Sequence, residues 1–246
     1  MSFTHSPESY NTKSAKEVVP VIVDLLNPKS VVDVGCGIGT WLSIFKENGI
    51  NDVLGIDGEY VDRNLLYQHI DAKDFIAYDL TKEITLNRKF DLVISLEVAE
   101  HIPEECADKF INTLVSLGDF ILFSAAIPGQ GGENHINEQW PTYWQEKFND
   151  LGFEVYDFLR LSLWSNENIE WWYKQNIFLA VRGDIDFNLP KSTILPKLVH
   201  PENYELKVEE NEKLKKELKN ITSGRISLIF SLKILVKSLR NLFLGH

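Results

Sequence analysis

Apolar positions along the first 183 residues alternate between two periods. Short β-rich runs at Ser30–Val34, Asp52–Ile56, Phe75–Tyr78, Phe90–Ser95 and Phe120–Ala125 are separated by stretches with helical spacing near Thr40–Asn48, Val61–Gln68 and Glu104–Leu117. The runs VVDVG and FDLVISL are apolar on both faces, as strands covered by helices on either side must be. Such alternation predicts right-handed βαβ units and an α/β, doubly wound, mostly parallel sheet. Ahead of the first strand, Ser14–Leu26 has helical spacing, with Pro20 expected to kink or restart it. A further helix is expected to open at Pro141 and run to Leu151. Phe153–Leu159 and Asn176–Val181 then read as two strands joined by a Trp-rich connection, which places an antiparallel element at one sheet edge.

The remainder divides differently. Residues 184–200 carry Pro190 and Pro196 with little periodicity and read as a linker after a domain spanning 1–183. Residues 201–246 are expected to form a polar helix followed by a basic amphipathic one, a C-terminal helical tail. The polar part is a weak coiled-coil match, because Asn211 and Lys215 interrupt a seam of Tyr204, Val208 and Leu218. Residues 225–246 hold four Arg/Lys and no acid, with leucines gathered on another side of the helix. That pattern predicts peripheral contact with an anionic membrane surface, with self-association into a homo-oligomer as the rival.

Charge sharpens the picture. The chain of 246 residues has a formal net charge of −11, yet 201–246 carry nine Lys/Arg against six Glu, which leaves −14 for residues 1–200. A body that acidic is a poor partner for a phosphate backbone, so nucleic acid is not expected. Two cysteines, Cys36 and Cys106, build no disulfide framework. The first residues have no apolar core typical of a signal peptide, and no uncharged apolar run reaches ~18 residues. The expected location is cytoplasmic, peripheral at the inner membrane if the tail binds lipid.

The first strand runs into Asp33-Val34-Gly35-Cys36-Gly37-Ile38-Gly39-Thr40 and then a helix. Glycines there permit a tight turn and close backbone approach to a ligand, and helix-start amides can bind a polar or anionic group. A dinucleotide fingerprint would want glycine or alanine at Thr40, which argues against an NAD-dependent oxidoreductase. The second strand ends in Gly55-Ile56-Asp57, where a carboxylate can accept from a ribose diol. After the third comes Asp79-Leu80, an acid and an apolar neighbour suited to an adenine amino group and ring; either acid could equally be a turn residue.

These stretches, with LGIDGEYVDR, YDL and FDLVISLEVAEHIP, resemble the class I S-adenosylmethionine-dependent methyltransferases over about residues 10–183. The stretches LEVAEHIP, SAAIPGQGGENHINEQWPTYW and EWWYKQNIF are similar to a bacterial subfamily often linked to cell-surface polysaccharide assembly. The resemblance implies a seven-stranded sheet and S-adenosyl-L-methionine as cofactor. Gly35, Gly37 and Gly39, with Cys36 among them, would line its methionine half and Asp33 would orient the amino group. Asp57 and Gly58 would serve the ribose, Asp79 and Leu80 the adenine, and Leu96 and Glu97 would close the pocket.

Two polar clusters follow the fourth and fifth strands: Glu97, Glu100 and His101, then the glycine-rich loop from Pro128 to Glu138. Methyl transfer to a hydroxyl needs an in-line nucleophile and removal of its proton, a task for an imidazole. His135 is the first candidate base and His101 the second; the alternative is that each steadies its loop. No spacing among Glu97, His101, His135 and Glu138 demands a metal, and none is expected. Asn134, Asn137, Glu138, Trp140 and Trp172 are the candidate substrate contacts, because indole faces bind sugar rings as readily as they fill cores. The sequence thus predicts a methyltransferase acting on a hydroxyl of a sugar or cell-surface polysaccharide precursor. An N-methyltransferase of a small molecule or protein, and a non-catalytic cofactor-binding scaffold, remain as alternatives.

Overall fold

The computed structural model describes residues 11–223, 231–233 and 235–237. The chain divides into two compact units, one ending at His200 and one beginning at Pro201.

The first unit is built on a seven-stranded sheet. Its strands are β1 (Ser30–Val34), β2 (Asp52–Asp57), β3 (Phe75–Ala77), β4 (Leu92–Leu96), β5 (Phe120–Ser124), β6 (Phe153–Tyr156) and β7 (Phe178–Arg182). They lie in the order β3-β2-β1-β4-β5-β7-β6, and only the pairings of β7 with β5 and β6 are antiparallel. The order reverses between β1 and β4, so the crevice beyond their carboxyl ends is where such a sheet binds ligands. Register brings the relevant residues to that edge: Asp33 lies opposite Gly55 and Ile94, and Leu96 opposite Ser124.

Alternate residues of each strand feed opposite faces. Val31, Ile94 and Leu122 pack under α1 (Lys13–Leu26) and α2 (Thr40–Glu47), against Val18, Val19, Ile22, Leu42 and Phe45. Val32, Val93, Ile121 and Phe123 pack under α4 (Ala107–Leu117) and α5 (Pro141–Asp150), against Phe110, Leu114, Trp144 and Phe148. Pro20 sits inside α1 without breaking it, since burial of Val18, Val19 and Ile22 on one face outweighs the lost hydrogen bond.

Three elements differ from the sequence reading. The helix expected over Val61–Gln68 is a single turn, α3 (Arg63–Leu66), started by the Asp62 side chain accepting from the amides of Asn64 and Leu65. The strand expected to reach Leu159 stops at Tyr156. The Trp-rich connection beyond it forms two short helices, α6 (Phe158–Leu163) and α7 (Trp171–Asn176). Arg160 explains the first of these: fully buried, it pairs with Asp157 three residues earlier across one helical turn.

Residues 184–200 contain no helix or strand but belong to the first unit. Leu195 is buried, its amide donates to Gln145 Oε1 at 2.7 Å, and the Ser192 amide donates to the Val155 carbonyl at 2.8 Å. In the second unit, α8 (Pro201–Thr222) exposes Tyr204, Val208, Leu214, Leu218 and Ile221. The amphipathic segment 225–246 lies outside the described residues except for 231–233 and 235–237. No described helix is long and apolar enough to cross a membrane.

Candidate functional site

The glycine loop forms the first wall. Gly35, Gly37 and Gly39 take φ of +91°, +52° and +79°, conformations that a β-carbon disfavours. The amides of Gly35 and Cys36 donate to the Ile56 carbonyl at 2.7 and 3.3 Å, folding the loop across the end of β2. The Gly37 amide then reaches Asp57 Oδ2 at 2.7 Å, and Asp57 Oδ1 accepts from the Gly58 amide and the Tyr60 hydroxyl. Asp33 is buried in β1; burial, then the charge of Asp57, pushes its carboxyl well above the usual range. The Cys36 side chain packs against Gly55, where a β-carbon would come within 2.7 Å of its sulfur. Burial and the two acids push that thiol up, so it is an inert packing group.

Beyond β3, Asp79 is exposed and occupied by its own turn. It accepts from the Thr81 amide and hydroxyl at 3.1 and 2.7 Å, which hold its carboxyl below the usual range, and it pairs with Lys82 at 3.2 Å. Leu80 points into the core.

The segment after β4 makes the second wall. Glu97 holds φ +56°, left-handed backbone that a non-glycine residue adopts at a cost and that recurs where function requires it. Its amide is held by the carbonyl and hydroxyl of Ser124 at 3.0 and 3.1 Å. Its carboxylate accepts from Asn176 Nδ2 at 3.1 Å and Gln130 Nε2 at 3.1 Å. Burial outweighs those bonds and pushes Glu97 up to about 7. Glu100 is fully buried with no well-formed hydrogen bond to either carboxylate oxygen, and the weaker approach of the Ala126 amide does not offset burial and then the charge of Glu97, which push it well above the usual range. Its carbonyl accepts the amides of Ile136 and Asn137 at 2.9 and 3.0 Å, pinning the loop after β5 onto the turn Ala99–His101.

That loop brings the two histidines together, with ring centroids 4.9 Å apart. His135 Nδ1 lies 2.9 Å from Glu138 Oε1, and Glu138 also accepts the amides of Gly129 and Gly131 at 2.7 Å each. Burial works against the Glu138 charge, but these three bonds keep its carboxyl below the usual range. His101 Nδ1 lies 3.2 Å from the carbonyl of Asn134, a residue at φ +60°. Burial pushes His101 down to about 4, which leaves it neutral at pH 7 and a weak base. Asn137 is buried, its side-chain Oδ1 accepts from Gln139 Nε2, and its side-chain Nδ2 makes no hydrogen bond.

The aromatic residues do not gather in one place. Trp144 is core; Trp140 lies under the Lys197 ammonium; Trp164 packs on His200. Trp172 contacts Trp171 and Tyr173, and Tyr173 packs edge-on against Trp41 at the start of α2, next to the glycine loop. Tyr60, Gln130 and Asn176 are site residues the sequence did not single out. All three lie within the LGIDGEYVDR, SAAIPGQGGENHINEQWPTYW and EWWYKQNIF stretches, but the pairing of the two amides over Glu97 joins residues 46 positions apart and no local pattern announces it.

A doubly wound sheet in this order, with a glycine turn after β1 and an acid ending β2, defines the class I methyltransferase fold. A family model described as a methyltransferase domain matches residues 9–178, and the chain belongs to that family, an S-adenosylmethionine-dependent methyltransferase. It is similar to the mitochondrial ubiquinone biosynthesis O-methyltransferase of Dictyostelium discoideum, 29% identical over 133 residues that cover 47% of this chain. The match spans only 40% of that relative's length. In fold it is similar to the sugar N-methyltransferase KedS8 from Streptoalloteichus sp ATCC 53650, with a TM-score of 0.56, 14% identity, and coverage of 72% of this chain and 90% of that one. It is also similar to the magnesium protoporphyrin IX methyltransferase of Synechocystis PCC 6803 with bound SAH, with a TM-score of 0.50, 20% identity, and coverage of 69% and 83%.

Proposed function

We propose that the enzyme methylates a hydroxyl of a sugar or polysaccharide precursor, with His135 as the group that takes the proton. Bound S-adenosylmethionine supplies a methyl group on a positively charged sulfur. The buried carboxyl at the sheet edge suits such a ligand: the causes raising Asp33 are burial and the neighbouring Asp57, so a cationic ligand relieves it. In this reading Gly35, Gly37, Gly39 and the Cys36 backbone line its methionine half, Asp57, Gly58 and Tyr60 hold the ribose, and Leu96 and Glu97 close the pocket. Asp79 and Leu80 reach adenine only if the Thr81 turn yields.

The observation that carries the acceptor chemistry is the 2.9 Å contact between His135 and Glu138. A proton held on Nδ1 by the carboxylate puts the lone pair on Nε2, the arrangement of an oriented general base. His101, pushed down to about 4, is a weak base. Asn134, Asn137, Trp140 and Trp172 are retained as candidate acceptor contacts, with Trp140 and Trp172 partly exposed. The test is His135→Ala assayed on hydroxyl and amine acceptors. A hydroxyl acceptor loses about 10²–10⁴-fold in kcat while S-adenosylhomocysteine still binds. An amine acceptor that turns over as in wild type favours the N-methyl alternative, which the sugar N-methyltransferase fold match makes the natural second reading.

A further inference from the structure

We propose that Glu100, His101 and His135 form a binding site for one divalent first-row transition-metal ion, of the Zn²⁺ or Mn²⁺ type, beside the acceptor. One donor atom from each lies within 4.8 Å of the other two. Glu100 is the strongest indication. It is fully buried and neither carboxylate oxygen makes a well-formed hydrogen bond, the Ala126 amide and the Glu97 carboxyl interacting with it more weakly, a costly arrangement that a cation would relieve.

The histidines are set up from behind in the way metal-bound imidazoles are. His135 Nδ1 faces the Glu138 carboxylate and His101 Nδ1 faces the Asn134 carbonyl, so each ring is fixed in the tautomer whose lone pair is on Nε2. Gly132 keeps one of those nitrogens approachable, since a β-carbon there would lie 2.2 Å from His135 Nε2. Two imidazoles and a carboxylate favour zinc, manganese or iron over magnesium or calcium, and three protein ligands leave positions open for an acceptor oxygen. Glu97 is excluded from the set by its bonds to Gln130 and Asn176. The spacing of Glu97, His101, His135 and Glu138 gave no reason to expect a metal. The site arises instead because the loop after β5 is pinned onto the Ala99–His101 turn, which turns Glu100 inward.

The site stands on these residues alone; its part in catalysis rests on the hydroxyl reading above. With an ion bound, the His135 lone pair would be engaged and the coordinated acceptor hydroxyl would release its proton to solvent, so His135 acts as the base itself only in the ion-free site. The test is calorimetric titration of Zn²⁺ and of Mn²⁺ into the full chain after EDTA treatment and dialysis, with S-adenosylhomocysteine titrated in parallel as the check on folding. One ion per chain is expected, weakened at least about tenfold by His135→Ala, His101→Ala and Glu100→Gln. A protein that binds S-adenosylhomocysteine but no ion, or ion binding that none of the three folded variants weakens, overturns the site. No acceptor is present in the titration, so that failure leaves the hydroxyl reading standing. Conversely, ion binding lost in the variants upholds the site even if only amines prove to be methylated.

Discussion

Val98 occupies the space that a side chain on Gly35 would need: a β-carbon there would lie 2.3 Å from Val98 Cγ2. The segment after β4 is therefore seated directly on the glycine turn after β1, across the point where the sheet order reverses. Gly35→Ala combines this overlap with φ +91°. The backbone alone costs about 1–2 kcal/mol, and the overpacking a further 1–3 or so. The variant is expected to bind S-adenosylhomocysteine at least about tenfold more weakly in calorimetry. Adding Val98→Ala should restore part of that loss, because it removes the two methyl overlaps and leaves the backbone strain and a tight 3.0 Å approach to the remaining β-carbon. A double variant no better than Gly35→Ala would show that Val98 is not the obstacle.

The buried acids impose a pH dependence on the free enzyme. Burial pushes Glu97 up to about 7, and Asp33 and Glu100 are also raised well above the usual range. A folded chain then holds protons that the unfolded chain has released, so stability is full below the unfolded range and falls as pH rises through the folded values. His101, pushed down to about 4, works in the opposite direction, but only below its unfolded value of roughly 6.5. Between about pH 6.5 and 8, melting temperature of the metal-free and cofactor-free protein should fall. Glu97→Gln should flatten that slope, and a wild-type melting temperature that climbs with pH across the window would contradict the assignment.

How far the sequence foretold all this depends on the range of each interaction. The strand–glycine turn–helix unit and Asp57 at the end of β2 were legible because each is a local pattern with its own backbone requirement. Helix α3 was overread: the apolar positions Val61 and Leu65 suggested two turns, whereas the Asp62 cap starts only one. Helices α6 and α7 were missed because the pairing of Arg160 with Asp157 looks, in sequence, like two charges at a strand end. The roof over Glu97 was invisible, since it joins residues 79 positions apart through Asn176. Glu100 was legible as one acid in a cluster, but its burial without a well-formed hydrogen bond could only be seen in three dimensions.

Arg160 offers a stability test that leaves the proposed chemistry alone. Fully buried, it pairs with Asp157 and donates to the carbonyls of Gln175 at 3.4 Å and Pro196 at 3.1 Å. It thus ties α6 to the end of α7 and to the strap that follows β7. Arg160→Met fills much of the volume but leaves the part-buried Asp157 carboxylate and two carbonyls without this donor, a loss of about 3–5 kcal/mol. For a domain of this size that is a fall of roughly 6–20 °C in melting temperature by scanning calorimetry. A change below about 2 °C would mean that the pair contributes little beyond its own desolvation cost.

Asp57 and Tyr60 separate two ways in which the end of β2 would serve the cofactor. One oxygen of Asp57 holds the Gly37 amide at 2.7 Å, so the acid shapes the glycine turn as well as offering an acceptor to a ribose. Asp57→Asn puts an NH₂ donor where one of the two oxygens stood, which loosens the turn and removes the charge together. It is expected to weaken S-adenosylmethionine and S-adenosylhomocysteine at least about tenfold each, with the larger loss for the cationic S-adenosylmethionine. Tyr60→Phe removes one hydroxyl bond to Asp57 and keeps the ring that packs over Gly58. Its cost should be about 0.5–1.5 kcal/mol, or roughly two- to twelvefold in Kd, and similar for both ligands. Equal, small losses for both variants in parallel titrations would place the ribose elsewhere along the sheet edge.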